Sequence, residues 1–241
     1  MIADEPRPTP AIGAPDSEVL DAGAFHREII AFIERELPVW RDRPERPQVA
    51  DEPRLNEYLC DHLDSASRRQ CFDSIRFCHE PSQSSGRAAD IAVKPMGIIM
   101  VEGRKYFEFE QLLPIECKRL PTPKDSKRSD LEYVHGLPGN RSGGIERFKH
   151  GLHGPQNQHA LIIAYVQGES FAHWFTVINE RLAQLATDGT DKGMWNPVEP
   201  LSSDASAAEV IVQRLNSRHR RLSPPCCSAS VEMEHIWLLM N

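Results

Sequence analysis

The chain has 241 residues, 40% hydrophobic and 26% charged, with a net charge of -7, a balance ordinary for a globular protein with one hydrophobic core. No run approaches the ~18 to 20 apolar residues that a bilayer span needs, and no basic-then-apolar leader opens the sequence, so the expected location is the cytoplasm. Six cysteines without a CxxC pair argue against a disulfide framework or a cysteine-based zinc scaffold, and the acidic balance argues against coating nucleic acid by bulk charge.

Residues 1–20 carry Pro6, Pro8, Pro10 and Pro15 with little apolar periodicity and read as a disordered or loosely attached tail. Residues 21–241 read as one domain. Phe25, Ile29, Ile30, Phe32, Ile33 and Leu37 recur at helical spacing, and Pro38 is expected to end that helix. A second helix opens near Pro53 and runs through Leu55, Tyr58, Leu59, His62 and Leu63, with Glu57 on it. Alternation over 72–78 predicts a half-buried strand, closed by the loop 81–86.

The apolar runs 88–93, 98–101 and 112–120, with turn signals at Pro95, Gly97 and Gly103, predict a long hairpin. Glu108 and Glu110 alternate with Phe107 and Phe109 and read as a solvated face. A short helix is expected over 143–150, and the run 159–166 is so evenly apolar that a central buried strand follows. Ser170 reads as the cap of a helix reaching Leu185, 207–221 as one more helix, and 231–240 as a closing strand. The sum is an α/β chain, a mixed sheet flanked by helices.

In a strand, residues two apart share a face, so Glu116 and Lys118 in Ile115-Glu116-Cys117-Lys118 project together while Ile115 and Cys117 face the packing. If the preceding strand pairs antiparallel, Asp90 lies beside Glu116. Two carboxylates and the Cys117 backbone carbonyl suit Mg2+ or Mn2+, which leave coordination positions for phosphate oxygens. Charged groups inside apolar strands need a reason, and the competing one is a structural ion pair between Glu116 and Lys118. Residues 118–153 hold eight Lys or Arg against four Asp or Glu, so a polyanion is expected to meet this segment.

The run Gly86-Arg87-Ala88-Ala89-Asp90-Ile91 followed by Ile115-Glu116-Cys117-Lys118 resembles the PD-(D/E)xK nuclease superfamily over residues 54–166. Ala89 stands where that pattern often has proline. The resemblance implies a restriction-endonuclease-like fold of core order α-β-β-β-α-β. It also implies a metal-dependent endonuclease acting on DNA rather than RNA, with a place in defence against phage or mobile DNA. Asp90 and Glu116 would hold the metal with the Cys117 carbonyl, Glu57 would assist from the first core helix, and Lys118 would serve the attacking water. Arg87, Arg147 and Lys149 would contact nucleic acid, and target choice would come from a partner protein or a homodimer. A catalytically silent binding subunit of the same fold is the alternative. His135, His150, His153 and His159 match no zinc spacing.

Overall fold

The computed structural model describes residues 23–46, 51–70, 72–80, 89–126, 128–188, 194–203, 211–222, 226 and 228–241; the proline-bearing segment 1–20 and Arg87 lie outside them. Helices α1 (Ala24–Arg41) and α2 (Glu52–Arg69) come first, followed by strands β1 (Ile75–His79) and β2 (Ile91–Pro95). Next come the short strands β3 (Ile99–Val101) and β4 (Arg104–Tyr106), then β5 (Leu113–Leu120), α3 (Gly144–Lys149), β6 (His159–Val166) and α4 (Phe171–Thr187). Strands β7 (Val212–Arg220) and β8 (Ser230–Leu239) close the chain.

Six strands form one mixed sheet in the order β1-β2-β5-β6-β8-β7. The central β5, β6 and β8 run parallel, and antiparallel partners flank them on both sides. Alternation along β5 and β6 sorts the core into two layers. Ile115, Cys117, Leu161, Ile163 and Tyr165 pack under α1 and α2, while Ile162, Ala164 and Val166 pack with Tyr133, Ile145, Phe148, Trp174 and Ile178 on the opposite face. Both faces of the parallel centre are covered, which is why 159–166 is apolar at nearly every position.

Four expectations change. Pro38 does not end α1, which continues to Arg41; Leu37 and Trp40 are buried, and their packing outweighs the one backbone donor that proline removes. The long hairpin is β2 against β5, with β3–β4 a separate two-stranded ribbon. Residues 107–110 form a turn rather than strand, where the Glu110 carboxylate accepts from the Phe107 N–H at 2.8 Å.

The largest change is over 207–221, where strand β7 replaces the expected helix across the described part. Its inward residues are Leu215, Ser217 and His219, all buried. Two polar residues on an inward face erase the apolar alternation by which a strand is read. They are accommodated by a chain of hydrogen bonds. Trp237 Nε1–H donates to Tyr133 Oη at 3.0 Å, and Tyr133 donates to His235 Nδ1 at 2.6 Å. His235 Nε2 then donates to Ser217 Oγ at 2.7 Å, and Ser217 to His219 Nε2 at 2.9 Å. His219 Nδ1 faces Glu199 at 3.4 Å. The indole only donates and the carboxylate only accepts, so the two ends fix the tautomer of both histidines.

Candidate active site

Antiparallel pairing of β2 with β5 joins Val93 to Leu113, Ala92 to Pro114 and Ile91 to Ile115. One further step in that register sets Asp90 opposite Glu116. The ladder stops there, and the Cys117 N–H that it leaves donates instead to Asp90 Oδ2 at 2.7 Å. In extended backbone a residue's N–H and C=O leave the strand on the same edge, so the Cys117 carbonyl is also directed to the Asp90 side. Asp90 retains partial exposure, whereas Glu116 is fully buried.

Three nitrogen-bearing side chains surround the Glu116 carboxylate. Lys118 Nζ lies 2.7 Å and Arg147 Nη1 2.6 Å from Oε1. His153 Nδ1 stands 2.9 Å from Oε2, yet it is out of line for a hydrogen bond, and both atoms are left buried without such a partner. Arg147 comes from α3, which approaches β5 closely because Gly144 has no side chain: a Cβ there would lie 2.9 Å from the Tyr133 carbonyl oxygen and 3.6 Å from Lys118 Cγ.

Burial works against charge on Glu116, but Lys118, His153 and Arg147 outweigh it and hold the carboxyl below the usual carboxylate range. Burial likewise works against the Lys118 ammonium, and Glu116, Glu52 and Asp90 outweigh it, raising its pKa. Lys118 therefore stays protonated at neutral pH. It can donate a hydrogen bond or stabilise negative charge, and it is not a general base. Asp90 is pushed up to about 8 by burial and by the neighbouring Glu116 charge, against the opposing pull of Lys118 and the Cys117 N–H.

Asp90, Glu116, Lys118 and the Cys117 backbone thus meet, and Arg147 meets them. Two sequence-derived residues do not. Glu57 is exposed on α2, while Glu52, one residue before Pro53 at the start of that helix, places Oε1 3.9 Å from Lys118 Nζ. At 3.6 residues per turn, a five-residue offset rotates the side chain by about 140° around the helix, so the two acids cannot serve the same site. Lys149 has no exposure and pairs with Glu199 Oε2 at 2.5 Å, which removes it from any phosphate track. The α3 N-terminus is also closed to anions, because the Gly144, Ile145 and Glu146 N–H groups donate to the carbonyls of Glu132, Tyr133 and Val134.

The donor set suits a hard divalent cation. Mg2+ and Mn2+ take one or two carboxylates and keep waters, and here Glu116 Oε2, which accepts no hydrogen bond, stands on the side of the partly exposed Asp90 carboxyl. The acids are not drawn into a tight trio, however. Among the described residues the group of three side chains whose ligand atoms all lie within 4.8 Å of one another is His26, Glu102 and His159. No family model, curated protein or solved structure matches this chain.

Proposed function

We propose that the chain is a divalent-metal-dependent phosphodiesterase that cleaves DNA, with a restriction-endonuclease-like core formed by α2, β1, β2, β5, α3 and β6. The observation that carries this reading is the register of β2 against β5, which sets Asp90 opposite Glu116 and beside the buried ammonium of Lys118. Asp90, Glu116 and the Cys117 carbonyl would hold Mg2+ or Mn2+, which when bound supplies Lewis acidity toward the scissile phosphate. Lys118 orients the attacking water and stabilises charge as it grows on the phosphoryl oxygens. Arg147, half-buried at the rim, donates to a phosphate oxygen of the substrate. Glu52 balances Lys118 from the α2 side.

A second reading rests on one observation. Glu116 Oε1 is already held by Lys118 and Arg147, as in a catalytically silent member of the fold that only binds. The test is incubation of the purified chain with supercoiled plasmid, single-stranded DNA and RNA in Mg2+, Mn2+ or EDTA. Metal-dependent cleavage of DNA that is lost in Asp90→Asn supports the enzyme. DNA binding without cleavage in any metal supports the silent form.

A further inference from the structure

On the opposite face of the sheet, the N-terminal turn of α1, the β3–β4 turn and the first residue of β6 bring together three side chains that the nuclease reading does not use. His26 Nδ1 lies 3.0 Å from Glu102 Oε1, and His159 Nε2 lies 4.0 Å from Glu102 Oε2. The two imidazoles stack with centroids 4.5 Å apart. His159 is on the α1 side because it shares its face of β6 with Leu161 and Ile163, whereas the register partner of Glu116 is Ile162, on the α3 side.

We infer that His26, Glu102 and His159 form a binding site for a divalent transition metal, Zn2+ foremost, with a fourth coordination position open to solvent. The first argument is orientation. His26 Nε2 lies 3.2 Å from the Leu112 carbonyl oxygen, which only accepts, so that nitrogen carries hydrogen and Nδ1 is the ring atom turned to the Glu102 carboxylate. The second argument is distance. With bonds of ~2.0 to 2.2 Å, neighbouring ligand atoms of a tetrahedral zinc lie roughly 3.4 Å apart, and one ligand atom from each of His26, Glu102 and His159 already lies within 4.8 Å of the other two.

The outer nitrogens are arranged as metal-bound histidines usually are. His26 Nε2 is on a backbone carbonyl, and His159 Nδ1 faces Glu232 Oε2 at 3.7 Å from the paired position on β8. The backbone supplies a third argument. Glu102 and Gly103 are the two central residues of the hairpin turn, both left-handed, with φ of 52° and 76°. Such turns favour Asn-Gly or Asp-Gly, and a glutamate accepting the strained position points to a use for its longer carboxylate. The cluster borders a recess of about 680 Å³ that Asn216, Arg218 and Glu232 also line, room for water or a small anion at the open position. Two imidazoles and one carboxylate suit Zn2+ better than the oxygen-seeking Mg2+ of the Asp90 site.

The test is calorimetric titration of EDTA-stripped full-length protein with ZnCl2, and absorption spectroscopy with Co2+, on the wild type, Glu102→Gln, His159→Gln, Glu232→Gln and Asp90→Asn. The expected result is one equivalent that Asp90→Asn retains, apart from any ion held at the Asp90 site of the wild type, with d–d bands of four-coordinate Co2+. Glu102→Gln and His159→Gln weaken binding by more than ~100-fold, and Glu232→Gln by ~10 to 100-fold. Asp90→Asn leaves it unchanged, so this result stands apart from the fate of the nuclease site. Melting curves of the metal-free variants separate lost ligation from lost fold, and Glu102→Gln, in an exposed turn, keeps the native melt. The inference is overturned by absence of binding up to millimolar metal, by sulfur-to-cobalt charge-transfer bands that place the ion on cysteines, by unchanged affinity in Glu102→Gln, or by loss of the ion in Asp90→Asn.

Discussion

Substituting Glu199→Gln tests the energetics of the buried polar chain without touching either candidate site. Glu199 is buried, and burial alone would raise its pKa; hydrogen bonds from His219, the Arg220 N–H and Lys149 outweigh that and lower it from 4.5 to about 2. The folded pKa lies below the unfolded one, so the carboxylate contributes stability that is fully present above about pH 4.5 and is lost as pH falls through about 2. A shift of that size corresponds to about 3 kcal/mol at pH 7, in line with the ~3 to 5 kcal/mol cost of leaving one member of a buried ion pair unpaired. Glutamine can keep the Arg220 N–H bond at 2.6 Å but leaves the Lys149 ammonium without its counter-ion. Urea unfolding of both proteins at pH 7, 5 and 3 should show a gap of about 3 kcal/mol that narrows below pH 4.5, with a Tm difference of roughly 6 to 12 °C at pH 7. A gap under ~1 kcal/mol, or one that does not change with pH, would refute the reasoning.

Other outcomes follow from the site geometry. Asp90→Asn in EDTA should gain stability over the wild type as pH rises from about 4 to 8, by about 1.4 kcal/mol per pH unit, because the wild-type carboxyl, pushed up to about 8, must stay protonated where its unfolded form is charged; parallel unfolding curves across that range would contradict it. Glu57→Gln should cleave like the wild type, whereas Glu52→Gln, which loses the charge 3.9 Å from Lys118, should lose about tenfold, ~1.4 kcal/mol of barrier. Equal rates would remove Glu52 from the site. Arg147→Met should reduce the slope of log DNA affinity against log salt by about 0.9, the share of one phosphate contact. Lys149→Met should leave that slope unchanged and lower stability instead, as fluorescence anisotropy and melting would show.

Elements that bury an apolar face were legible in the sequence. Strand β6 has its expected bounds, and α4 begins after Ser170, whose hydroxyl accepts from the His173 N–H at 3.1 Å. The juxtaposition of Asp90 with Glu116 was also legible, since it needs only alternation and one antiparallel pairing. What sequence pattern hid was polar burial. Ser217 and His219 look like surface residues until Glu199 and His235 are seen to satisfy them, so β7 read as helix. The burial of Lys149, expected to contact nucleic acid, was hidden for the same reason. Glu52 was missed because the helix pattern was started at Pro53, one residue too late to include the acid that faces Lys118. His26, Glu102 and His159 are far apart along the chain and obey no local spacing, so only the turn and the register of β6 bring them together.

The central claim is that Asp90, Glu116 and Lys118 act as one site on a phosphodiester, and its most direct measurement is the rate of supercoiled-plasmid nicking in Mn2+ by the wild type, Asp90→Asn, Lys118→Met and Glu57→Gln, with folding of each confirmed by its melting curve. The account predicts nicking by the wild type and Glu57→Gln, abolished by EDTA, and loss by at least ~100-fold, ~2.7 kcal/mol of barrier, in Asp90→Asn and Lys118→Met. Nicking that persists in those two folded variants, or a wild type that binds DNA and leaves it intact in every metal, would contradict it.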